Sequence, residues 1–264
     1  MTKTVFKFIL ALLALVGALV IANSIYPYEP VKAAITPAGS VNSSTAILLN
    51  SSTYNIAGDT TIIAHVYITG FTSDTSLHDL YSKISFSPAS GIDFWYQDTT
   101  SAGNGFDLGM RVNGNQSTFE LSTTTIKQNT WYCVAAVYDA GVDQWIYFRN
   151  MNSPTLISRN KGSATSTIAT NTNIARWGNR ADGNNEAFLG RIDNARIYST
   201  ALSSDQINVL CNQRSGRNEF PQVLSAYRFD YYIGSNTVYP DYNQQRNGTV
   251  SGTLLSYDDG PPVP

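Results

Sequence analysis

GDTTIIAHVYITG, residues Gly58 to Gly70, places Ile62, Ala64, Val66 and Ile68 at alternate positions, with Thr61, Ile63, His65 and Tyr67 between them. Successive side chains of a strand point to opposite faces, so this run carries apolar groups on both. A strand of that kind is central, held between two layers.

Working outward, similar short runs recur at Thr45–Leu49, Leu77–Phe86, Ile92–Tyr96, Phe106–Val112, Thr118–Ser122, Trp131–Tyr138, Gln144–Arg149, Asn173–Gly178 and Ala187–Tyr198. Clusters of Gly, Asn, Asp and Ser separate them. About ten short strands with frequent turn signals predict an all-β, antiparallel two-sheet sandwich rather than a βαβ fold. One short helix is expected near 203–211. Ser203 and Ser204 offer N-caps, Asp205 adds negative charge to the first turn, and Ile207, Leu210 and Cys211 lie at helical spacing.

Composition agrees. Charged residues make up 14% of the 264 residues, against about 25% in an average soluble protein. A net charge of −2 and the absence of a Lys/Arg cluster argue against a nucleic-acid partner. Cys133 and Cys211 are too few for a disulfide scaffold and lack zinc-site spacing. They read as two buried thiols, with one bridge in an oxidising compartment as the alternative.

The N-terminus carries Lys3 and Lys7 ahead of FILALLALVGALVIA, Phe8 to Ala22. As a helix that run spans roughly 22 Å, short of the ~30 Å hydrocarbon core. Residues 1–33 therefore read as a secretory signal peptide, with a membrane tether through residues 8–22 as the alternative. Both place the remainder outside the cytoplasm, secreted or anchored at the cell surface. Residues 34–44 form a linker.

Three further stretches, with the opening one, resemble the laminin-G-like, concanavalin A-like jelly-roll family. NTWYCVAAVYDAGVDQWIYFRN, Asn129 to Asn150, looks like the family's central hairpin, and FLGRIDNARIYSTALSSDQINVL, Phe188 to Leu210, like its closing segment. GFDLGMRVNG, Gly105 to Gly114, fits a strand between them. The resemblance implies a jelly roll over 45–211, with His65 standing where the family has a core Trp and Met151 where it has Gly. His65 then reads as a hydrogen-bonded interior residue, and His78 receives no role. The extension 212–264 contains LSAYRFDYYIGSNTVYPDYNQQRNGTVSGT, Leu224 to Thr253, which resembles the family's opening strands displaced to the end of the chain. It could complete its own sandwich, complete a neighbour's and so build a homo-oligomer by strand donation, or be the remnant of a second domain.

Catalysis is not expected. A glycosidase on this fold needs two carboxylates flanking the bond, and Glu29, Glu120, Glu186 and Glu219 form no such cluster. Asp139 and Asp143 read as turn residues around Gly141. The chain is expected to be a binding or adhesion module for a glycan or surface protein, or else a structural subunit of a cell-surface or virion assembly. Trp95 and Tyr96, beside Asp98 and Asn104, are the candidate ligand-binding residues, able to stack on a sugar and bond its hydroxyls. Asp182, Asn184 and Glu186 offer oxygens at alternate positions and are the candidate ligands for calcium. Asn-X-Ser/Thr triplets begin at Asn42, Asn50, Asn115 and Asn247.

Overall fold

The computed structural model describes residues 46–49, 52–68, 77–98, 106–119, 127–165, 167–181, 186–213, 219–227, 238–239 and 248–251. The signal or anchor over 1–33, the linker over 34–44 and three of the Asn-X-Ser/Thr sites lie outside them. The fourth, Asn115, is exposed.

The strands are β1 (Ala46–Leu49), β2 (Thr60–Ile68), β3 (Leu77–Phe86), β4 (Ala89–Asp98), β5 (Phe106–Val112), β6 (Asn115–Phe119), β7 (Trp131–Asp139), β8 (Asp143–Asn150), β9 (Ile157–Ser163), β10 (Ala175–Trp177), β11 (Gly190–Tyr198), β12 (Val223–Tyr227), β13 (Val238–Tyr239) and β14 (Gly248–Ser251). They form an eight-stranded sheet, β13-β14-β1-β10-β3-β4-β5-β6, and a six-stranded sheet, β12-β11-β2-β7-β8-β9. Neighbouring strands are antiparallel throughout. The expected two-sheet sandwich is the observed one.

The central strand behaves as its alternation requires. Ile62, Ala64, Val66 and Ile68 of β2 enter the core between the sheets, with Phe94 and Tyr96 of β4 and Trp177 of β10. Ile63 instead joins a second apolar cluster on the outer face, where the helix α1 (Ser204–Cys211) packs through Ile207, Leu210 and Cys211. Ser203 caps α1 by a reciprocal pair: its hydroxyl accepts from Gln206 N and its backbone N donates to Gln206 Oε1. Cys133 of β7 and Cys211 of α1 form a disulfide, which resolves the two readings of the cysteines.

The C-terminal strands enter the chain's own sheets. β12 extends the six-stranded sheet beside β11, and β14 extends the other beside β1. Tyr227 of β12 is fully buried, its hydroxyl 3.0 Å from that of Tyr54. The division at 211 therefore does not mark the edge of the sandwich.

Two strands depart from expectation. β6 begins at Asn115 rather than near Thr118, because Asn113 and Gly114 both take positive φ and close a two-residue hairpin. β9 was not expected at all. ISRNKGS has a single apolar residue, and its pairing with β8 supplies the order that its own pattern lacks.

Candidate functional site

Each sheet has an outer face, and the chemistry-bearing residues collect on both. On the eight-stranded sheet, Asp79 pairs across to Trp95 and Asp93 to Arg111, which puts these side chains on the side away from the core. Backbone from the connection between β10 and β11 is fastened there. Ala181 N donates to Ser82 Oγ, Asp79 N donates to Glu186 O, and Asp79 bridges Ala187.

Asp79 and Asp93 are fully buried and Arg111 nearly so. Arg111 Nη2 stands 3.6 Å from Asp93 Oδ2 and 3.8 Å from Glu186 Oε2, while Arg180 pairs directly with Glu186. The Arg111 and Arg180 guanidiniums lie 4.8 and 4.7 Å from the centre of the Phe86 ring. Three carboxylates, two of them fully buried and Glu186 partly exposed, thus face two guanidiniums. Burial, reinforced by Asp93 and Glu186, holds the Asp79 carboxyl well above the usual carboxylate range. Burial also pushes Asp93 up to about 7, with Arg111 opposing the rise.

The expected ligand-binding residues fall beside this cluster but not as expected. Trp95 is fully buried, its indole pressed onto Gly109, where a Cβ would come within 1.9 Å of the ring. Tyr96 faces the core, stacks on His78 at 4.8 Å, meets Phe188 edge-on and accepts a bond from Leu189 N. Neither ring presents a face to solvent, so neither offers a stacking platform for a sugar. Asp98 is the last residue of β4, and Asn104 lies outside the described residues. Of the expected calcium ligands, Asp182 and Asn184 also lie outside them, and Glu186 is paired with Arg180. Among the described residues no three His, Cys, Asp or Glu side chains converge as a metal-ligand set. His78 bonds Ala187 O through Nδ1 at 2.8 Å.

The outer face of the six-stranded sheet is built around cations. His65, Cys133 and Arg149 sit opposite one another on β2, β7 and β8. His65 is buried and accepts a bond from Asn194 Nδ2 at 3.0 Å, as an interior histidine should. Burial, then Arg196 and Arg149, lower its pKa to about 3, so the ring is neutral. Arg196 is fully buried, and its Nε lies 3.0 Å from both oxygens of Glu219, whose carboxylate also accepts from Tyr198. Sequence reading missed Asp79, Asp93, Arg111, Arg149 and Arg196. Their alternation with apolar neighbours was visible, but nothing local announced that outward positions would be covered.

Residues 41–208 match the family model Laminin_G_3, described as the concanavalin A-like lectin/glucanases superfamily. Solved structures give the same fold. One is a protein of Bacteroides ovatus ATCC 8483 assigned as carbohydrate binding, with TM-score 0.62 and 15% identity over 90% of this chain. The chain spans 62% of that protein's length. Another is the heptameric SAP-like pentraxin of Limulus polyphemus, with TM-score 0.58, 11% identity, 88% of this chain covered and 96% of that one. A third is the enzymatically active domain of tailspike protein 2 from bacteriophage CBA120, with TM-score 0.54, 14% identity, 76% of this chain and 32% of that one. No match was found among curated proteins.

Proposed function

We propose, from the premise that this chain belongs to the Laminin_G_3 family of the concanavalin A-like lectin/glucanase superfamily, that it is a non-catalytic module recognising a glycan or surface protein outside the cytoplasm. The observation that carries the non-catalytic part is the enclosure of the carboxylates that do converge. Asp79 and Asp93 have no exposed surface, and Arg111 and Arg180 stand against Asp93 and Glu186. A glycosidase needs its acid and its nucleophile or base open to the scissile bond from either side, and the buried Asp79 and Asp93 offer a sugar neither.

Support for glycan recognition comes from the family and from the carbohydrate-binding assignment of the Bacteroides ovatus protein that shares the fold. The apolar run Phe8 to Ala22 behind Lys3 and Lys7, and the Cys133–Cys211 bridge, are what supports export to an oxidising compartment. Calcium, if bound, would draw on the loop that contains Asp182, Asn184 and Glu186. Screening the purified protein on a glycan array, with calcium and with a chelator, tests the reading. Selective retention of a glycan class in either condition is the expected result. A blank array in both conditions overturns the glycan reading.

A further inference from the structure

Beside α1, at the end of β8, a cavity of about 250 Å³ is lined by Arg149, Met151, Asn152, Ser153, Pro154 and Asn212. Arg149 is 3% exposed, and its donors go to neutral oxygens: Nη1 to Asn208 Oδ1, Nη2 to Cys211 O and Asn212 Oδ1. Nε is buried without a partner.

Burying a cation is costly unless a counter-charge meets it. On the same face Arg196 is met by both oxygens of Glu219. Among the described residues Arg149 has no such carboxylate, and none of the cavity's lining residues is acidic. The C-terminal end of α1, with a partial charge of roughly −0.5, offsets part of the guanidinium charge and leaves the rest. His65, its titratable neighbour, is neutral, so it adds no competing charge.

We infer that this cavity is a subsite for the oxyanion of an acidic saccharide, a carboxylate or sulfate carried on a single sugar ring. The walls fit that ligand. Arg149 supplies the charge, the exposed Asn152 amide supplies a donor, and Ser153 Oγ accepts from Thr155 N and so has its own proton to donate. Met151 and Pro154 supply apolar surface for the ring. The volume lies below the ~300 Å³ at which drug-sized pockets begin, which suits one ring. The saccharide part rests on the proposed glycan-binding function, and the anion part on Arg149 alone.

Calorimetric titration of the full chain with methyl glucuronide, methyl glucoside 6-sulfate and neutral methyl glucoside tests it. At least one anionic sugar should bind tenfold or more tightly than the neutral one, and which of the two does so identifies the oxyanion. Asn152→Asp, at an exposed position, replaces a donor by a carboxylate beside Arg149 and should weaken anionic binding at least tenfold. No preference for either anionic sugar, or an undiminished preference in Asn152→Asp, overturns the subsite. A blank glycan array with the preference intact would defeat the glycan-binding function and the saccharide part with it, and would leave the anion site at Arg149 standing.

Discussion

The two outer faces of the sandwich are closed by opposite means. On the eight-stranded sheet an excess of carboxylates lies beneath a loop connection, and the enclosed acids hold their protons to unusually high pH. On the six-stranded sheet a helix lies over a histidine and two arginines, the histidine stays neutral to unusually low pH, and a disulfide fixes the cover. In both places burial moves the titration, and the sign of the neighbouring charge decides whether anything opposes it. Each face therefore has its own weakness.

The largest effect is expected on the helical side. Replacing Cys133 and Cys211 together by Ala removes the link between α1 and β7 and should cost about 2–5 kcal/mol. Urea unfolding of the oxidised parent and the double variant measures it. A loss below ~0.5 kcal/mol would mean that packing of Ile207 and Leu210 alone holds the cover. On the other face, Gly109→Ala drives a methyl into the Trp95 indole and should cost about 1–3 kcal/mol as an overpacked site. Trp fluorescence should report the displaced ring in the same unfolding series. An unchanged spectrum and midpoint would show that this face is looser than described.

How much of this was legible in the sequence depends on what each feature needed. The central strand, the capped helix and the sandwich rested on local alternation and on Ser203 and Gln206, which act within a few residues. Trp95 and Tyr96 could not be placed that way. Adjacent strand residues point to opposite faces, so one of the pair should have been accessible, and the covering of the outer face is a long-range event. The partners of Asp79 and Asp93 include Glu186, about a hundred positions away in sequence. β9 escaped for a related reason, since a polar strand takes its order from the register of β8. The return of the last strands into both sheets was visible only as a family resemblance, and the pairing of β12 with β11 and β14 with β1 gives it its physical form.

The opposed titrations test the two-face account most directly. An acid held above its ordinary value binds its proton more tightly when folded. The stability contributed by Asp93 is thus whole below about 3.8 and is lost as pH rises towards about 7. A histidine held below its ordinary value behaves inversely, and the contribution of His65 is lost as pH falls from 6.5 towards about 3. Between pH 4 and 6.5 the two slopes oppose each other, each by up to ~1.4 kcal/mol per pH unit. The measurement is unfolding free energy against pH in that window for the parent, Asp93→Asn and His65→Gln. Relative to the parent, Asp93→Asn should gain stability as pH rises and His65→Gln should lose it. Variants that tilt the same way, or that both parallel the parent, would contradict the account.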